Sequence, residues 1–188
     1  MEKNGLHSFL GKVIGAFRKG DAFGLREIAN HAIEEAAFGN DSQLAELSMI
    51  SYCLHKMHSK QHVLRDKNWP KIKKGILAGL EKAEKSIVAG NMGRFDKDIA
   101  SVINSVKATD EMLGNYAQNL FEKARVKYAS SAYSLGLGLG QAADLTGTQK
   151  KELLRYIGVT KIADRDVSKI GIAKRLRKLK RALNSGNK

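Results

Sequence analysis

Apolar residues recur at intervals of three and four along almost the entire chain, and a single proline interrupts its 188 residues. This spacing gathers apolar side chains on one face of an α-helix, whereas strands need alternating or β-branched runs, of which the chain has few. The hydrophobic content of 43% is close to that of ordinary globular proteins, so a buried core is expected. The sequence therefore predicts an all-α fold.

Turn and capping residues divide the first 133 residues into six amphipathic segments. Asp21 is suited to cap the start of one helix, and Asp41 or Ser42 the start of the next. Gly39 stands where the earlier of these two helices would end, and the polar stretch 59–68 is expected to be a loop. We expect helices at about 6–18, 21–39, 41–59, 70–89, 92–107 and 110–133, which form a helical bundle over residues 1–133.

The positive charge is concentrated at the carboxyl end of the chain. Residues 149–188 hold 13 basic and 3 acidic side chains, a balance of +10, out of a net charge of +14 for the whole protein. A strongly basic segment points to a polyanionic partner, most often nucleic acid. The alternating Leu-Gly run at 135–140 is typical of a helix break, so we expect a second unit at 137–188.

The segment 139–158 has the pattern of a helix-turn-helix. Such a motif needs a small residue where two helices cross, a glycine with positive φ in the turn and a later apolar anchor, and Ala143, Gly147 and Leu153 occupy these places. The second helix is expected to begin at Thr148, whose hydroxyl would cap it. Its inward-facing residues are expected to be Leu153, Leu154 and Ile157. Its solvent-facing residues are expected to be Gln149, Lys150, Lys151 and Arg155, of the types that contact base edges and phosphates.

The segment 142–147 followed by 154–156 resembles the helix-turn-helix of the MerR-like group of prokaryotic DNA-binding regulators. The resemblance lies in the Leu-Thr-Gly turn and the Leu-Arg-Tyr ending, and covers about twenty of the 188 residues. It implies duplex DNA as ligand and a role in transcriptional regulation. Because one short recognition helix confers little specificity, a DNA-binding chain of this kind is expected to act as a homodimer.

A basic amphipathic helix is expected downstream, at about 167–184, with leucines and an isoleucine along one stripe and cations around the rest. Its position directly after the turn suits contact with phosphates on either side of a groove. An amphipathic helix that only closes the bundle is one alternative. A membrane-surface helix is the other, but its apolar face would lack the Trp or Phe anchors that such helices use, so no membrane partner is expected. With the residues of the turn, the expected nucleic-acid contacts include Lys161, Lys174, Arg175, Arg177, Lys178 and Arg181. We therefore predict a protein that binds nucleic acid, DNA in preference to RNA.

Two further functions remain as alternatives. Arg26 and His31 form an Arg-x-x-x-x-His pair that looks like the active-site motif of HEPN-type ribonucleases, which would imply an RNA-binding and RNA-cleaving protein. A helical scaffold with a basic docking end is the other alternative. The main hypothesis requires binding alone, with no catalytic residues.

Other site classes have little support in the sequence. The single Cys53 excludes an internal disulfide and every multi-cysteine zinc pattern, so the reducing cytoplasm is the expected compartment. His55, His58 and His62 are expected to be ordinary surface histidines rather than metal ligands. The glycines at 136–140 do not match the dinucleotide fingerprint, and no cofactor is expected. The uncharged run 128–143 is too short to span a bilayer.

Overall fold

The computed structural model describes residues 3–113 and 119–163, and within them the protein is helical with no strand. The all-α prediction is confirmed for this part of the chain. The described helices are α1 (Lys3–Lys19), α2 (Ala22–Gly39), α3 (Ser42–His58), α4 (Gln61–Leu64), α5 (Trp69–Val88), α6 (Met92–Leu113), α7 (Leu120–Ser134), α8 (Leu139–Thr146) and α9 (Lys150–Ala163).

Helices α2 and α3 form an antiparallel hairpin whose caps explain its tight turn. The Asp21 carboxylate accepts from the Gly24 N–H at 2.7 Å, and Asp41 accepts from the Leu44 N–H at 3.0 Å, so both aspartate caps are confirmed. The end of α2 differs from the prediction, because Asn40, with φ of 49°, takes the left-handed cap conformation expected of Gly39. Asparagine tolerates that conformation, which leaves Gly39 inside the helix.

The loop expected at 59–68 contains the short helix α4, and the predicted break near residue 108 is wrong. Thr109 and Asp110 have the pattern of a helix start, but α6 continues through them to Leu113. The Thr109 hydroxyl instead donates to the Ser105 carbonyl at 2.7 Å, and the Asp110 carboxylate accepts from the Leu120 N–H at 2.6 Å. Asp110 therefore satisfies the first N–H of α7 rather than the helix in which it lies.

One hydrophobic core runs through the described helices. Helix α3 lies at its centre, where it contacts α1, α2, α6, α7 and α8. The buried serine hydroxyls of α3 have hydrogen-bond partners within the protein, since Ser48 donates to the Ala29 carbonyl and Ser51 to the Leu25 carbonyl of α2. Helices α8 and α9 pack on α7, and their buried residues join the same core. The core of the bundle thus fixes the surface that α9 presents.

His58 is a titratable group held among aromatic rings at the end of α3. Its ring lies edge-on to Phe17, with centroids 5.0 Å apart, and to Trp69, at 5.3 Å. Its Nε2 is buried and has no hydrogen-bond partner among the described atoms. Burial, reinforced by the positive charge of Lys73, lowers the pKa of His58 from 6.5 to about 4. The neutral ring is therefore the form that fits the fold.

This environment predicts an acid-sensitive stability. Below pH about 6.5 the unfolded chain binds a proton at His58 that the folded protein does not bind, so the free energy of unfolding falls as pH drops towards about 4 and then levels off for this group. We expect His58→Phe, which keeps the ring contacts, to lose less stability between pH 7 and pH 5.5 than the unmodified protein. Urea unfolding at both pH values measures this difference, and equal losses would contradict it.

Candidate nucleic-acid interface

Helices α8 and α9 are joined by a three-residue turn that has the geometry its sequence requires. Gly147 has a φ of 67°, in the left-handed region of backbone conformation that residues other than glycine and asparagine rarely adopt. The Thr148 N–H reaches back to the Ala143 carbonyl at 3.0 Å, which closes the end of α8. Ala143 and Leu153 are both fully buried. The turn thereby places α9 against α7 and α8 at a fixed position on the core.

The first residue of α9 and the exposure of Leu154 differ from the prediction. The helix begins at Lys150 rather than Thr148, and the Thr148 hydroxyl contacts the Glu152 carboxylate at 3.4 Å instead of capping the helix. Leu154, expected to face inward, is 56% exposed. Leu153 and Ile157 are four residues apart and share the buried face, whereas Leu154 lies about 100° around the helix from Leu153.

The four polar side chains expected to face solvent do so. Gln149, Lys150, Lys151 and Arg155 are all exposed at the start of α9. No ion pair among the described residues involves any of the three cations, although Asp144 and Glu152 lie on the same two helices. Their charges thus remain available to an external anion.

Lys161 lies in the last turns of α9. The remaining predicted contacts lie outside the described residues, together with the predicted basic helix at 167–184. They are Lys174, Arg175, Arg177, Lys178 and Arg181.

Lys150 and one further cation, Arg125, lie beside the turn. The Lys150 side chain crosses the first turn of α8, where its Nζ lies 3.4 Å from the position that a Cβ on Gly140 would occupy. This places an ammonium group at the positive end of the α8 dipole, and both features attract anions. The Arg125 guanidinium of α7 lies against Gly147 and also pairs with Glu122 at 3.1 Å. Arg125 is about twenty residues upstream of the turn, so the motif itself does not indicate it.

Arg26 and His31 have different neighbours. His31 pairs with Glu35 at 3.3 Å, and its ring lies 5.6 Å from that of Phe9 on α1. The charge of Arg26, in contrast, acts on groups of α3 and α7, where it contributes to lowering the pKa of Lys127. These contacts do not test whether the two side chains could share a phosphate, so the ribonuclease hypothesis stays a prediction.

The histidines near Cys53 have separate surroundings. His55 Nδ1 donates to the Ala22 carbonyl at 2.7 Å, and His58 lies among the rings described above. The expectation of surface histidines is therefore wrong for the half-buried His55 and His58, and it holds for the exposed His62. Cys53 is fully buried, which raises the pKa of its thiol. Within residues 3–113 and 119–163, no group of three or more His, Cys, Asp or Glu side chains is arranged to hold a metal ion.

A second surface, between the α2–α3 turn and α6, has the opposite charge. A groove of about 550 Å³ is lined there by Asp41, Glu46 and Asp96, among others. Burial and the neighbouring Asp96 raise the pKa of Glu46. This acidic lining repels phosphates, so the groove does not compete with α9 as a nucleic-acid surface.

No family model matches the chain, and searches of curated proteins and of solved structures found no significant match. Of the helices described, none is both long and apolar enough to cross a membrane.

Proposed function

We propose that this protein binds nucleic acid, duplex DNA in preference to RNA, through the surface formed by α8, the turn at Gly147 and the start of α9. The observation that carries the proposal is that Gln149, Lys150, Lys151 and Arg155 project into solvent from a helix anchored by Leu153, with no internal carboxylate paired to the cations in the described part of the chain. Amide and cationic side chains at the start of such a helix suit base edges and phosphates.

The charge of the whole chain supports the same function. The net charge of +14 gives a long-range attraction for polyanions, and +10 of it belongs to residues 149–188, a stretch of sequence that begins within this surface. In the proposal, Lys161 and the cations at 174–181 neutralise phosphates that flank the groove. The likeness of 142–147 and 154–156 to the MerR-like turn favours DNA and a regulatory role.

The proposed mechanism is binding without chemistry, and specificity comes from dimerisation. One helix start with four polar side chains reads few base pairs, whereas a two-fold pair of chains reads two half-sites. Half-sites would then lie one helical turn of DNA apart or a multiple of it. RNA incubated with the protein should accordingly remain intact.

A competition assay tests the preference. The full chain is titrated into a labelled random-sequence DNA duplex at moderate salt, and the complex is challenged with unlabelled DNA duplex or with an unlabelled RNA hairpin. We expect the DNA to compete more strongly. Stronger competition by RNA would favour the RNA-binding alternative, and a lack of binding to either polymer would contradict the proposal and favour a scaffold.

A further inference from the structure

A cluster of cations lies where α2, α3 and α7 meet, and no sequence motif indicates it. Lys127 Nζ lies 4.0 Å from the centroid of the Tyr52 ring and 4.9 Å from that of Tyr128, while Lys56 Nζ lies 5.4 Å from the Tyr52 centroid. Arg26 of α2 is close enough for its charge to act on Lys127. We call Arg26, Lys56 and Lys127 the α3/α7 basic cluster.

The α3/α7 basic cluster has no internal counter-charge in the described part of the chain. None of the ion pairs found there includes Arg26, Lys56 or Lys127. Burial, together with the positive charges of Lys56 and Arg26, lowers the pKa of Lys127 to about 8. The fold therefore holds three like charges together at an electrostatic cost that a bound anion would relieve.

The positive surface continues along α7 and past the end of α3. Burial lowers the pKa of Lys60, and the charges of Lys56 and Lys123 lower it further, so these cations lie close to one another. Asp110 acts in the opposite direction, but it is buried and already holds the Leu120 N–H. Lys123 and Lys127 are four residues apart on α7, which corresponds to about 6 Å, so the positive surface is longer than one phosphate group.

The α3/α7 basic cluster also borders α9. Burial raises the pKa of Tyr52, and among the neighbouring groups that raise it further is Tyr156 of α9. Leu153 and Ile157 are buried in the core that α9 shares with α7. The two positive surfaces are thus adjacent on the molecule.

We propose that the α3/α7 basic cluster is a second phosphate-binding surface, which continues the α9 surface and contacts the backbone of the same DNA duplex. This inference rests on the proposed function and extends its footprint from α9 onto the bundle. Phosphate is the favoured ligand because two ammonium groups already lie within reach of the Tyr52 ring, so a base stacking there would displace them. Backbone contacts of this kind set orientation rather than sequence preference.

The salt dependence of DNA binding tests this inference. In the full chain, the variant Arg26→Met, Lys56→Met, Lys127→Met should reduce the slope of log affinity against log salt by about 0.9 for each phosphate that the variant no longer neutralises. The matched control is Lys71→Met, Lys74→Met, Lys85→Met, which removes three exposed cations from α5 and should leave the slope almost unchanged. Circular dichroism and thermal melting confirm that both variants are folded.

Lys127→Met alone separates a binding role from a structural one. Because Met keeps the apolar stem and removes the charge, a binding role predicts weaker DNA binding with a Tm within about 2–4 °C of that of the unmodified chain, whereas a structural role predicts a larger fall in Tm. Lys97→Met, on the exposed surface of α6, is the control and should change neither quantity.

The outcomes distinguish this inference from the proposed function. An unchanged slope and affinity in the Arg26, Lys56, Lys127 variant, with a reduced slope when the α9 cations are replaced, would overturn the inference and leave the proposed function standing. Failure of the unmodified chain to bind DNA would overturn both.

Discussion

Replacement of Lys150, Lys151 and Arg155 with Ala is expected to weaken binding to duplex DNA about 100-fold. Each side chain is exposed at the start of α9, and none forms an ion pair within the described residues. Three interactions at about 1 kcal/mol each account for this loss. Because cation–phosphate interactions release condensed counterions, the slope of log affinity against log salt should also fall by about 0.9 per phosphate. Anisotropy titrations over a series of salt concentrations measure both.

The control for this variant removes the same charge from another face. Lys71→Ala, Lys74→Ala, Lys85→Ala acts on α5, which packs on α1 and α6, whereas α9 packs on α7 and α8. A non-specific effect of net charge would weaken binding equally in the two variants. Equal losses would therefore contradict a defined surface at α9, and unchanged affinity in the α9 variant would exclude these side chains from the interface.

Leu153→Ala is expected to lower the free energy of unfolding by about 2–5 kcal/mol. Leu153 is fully buried and anchors α9 in the core that it shares with α7. The substitution removes buried apolar surface and leaves a cavity that the packed helices fill only partly. A loss of this size is a large fraction of the total stability of an ordinary domain, about 5–15 kcal/mol. DNA affinity should fall with it, because the helix that carries the cations loses its anchor.

The neighbouring leucine provides a matched control. Leu154→Ala makes the same chemical change at a side chain that is 56% exposed, and should alter the free energy of unfolding by about 0.5 kcal/mol or less. Urea unfolding of the two variants side by side measures the contrast. Similar losses of stability at both positions would contradict the burial of Leu153 and the exposure of Leu154 on α9.

The sequence predicted those parts of the fold that depend on local signals. The apolar stripe of α3 is buried as expected, and Asp21 and Asp41 cap the helices that follow them. Local signals failed where a side chain accepts a hydrogen bond from the backbone of another helix. Thr109 and Asp110 resemble the start of a helix, yet Asp110 binds the Leu120 N–H across the break between α6 and α7. Such a use of a capping residue depends on tertiary structure and is invisible to a single segment.

The candidate surface was also only partly predictable. The turn at Gly147 and the exposed cations of α9 follow from spacing within about twenty residues. The inward assignment of Leu154 failed because adjacent leucines cannot both lie on a narrow buried face. The α3/α7 basic cluster could not be found from spacing at all, since Arg26, Lys56 and Lys127 come from three helices that only the packed core brings together.

Lysine footprinting tests the central claim most directly. The full chain is acetylated with and without saturating duplex DNA, and the modification of each lysine is followed by mass spectrometry, with Lys71 and Lys74 as internal controls. Bound DNA is expected to slow the acetylation of Lys150 and Lys151 while Lys71 and Lys74 react at unchanged rates. Equal reactivity of Lys150 and Lys151 with and without bound DNA would contradict it.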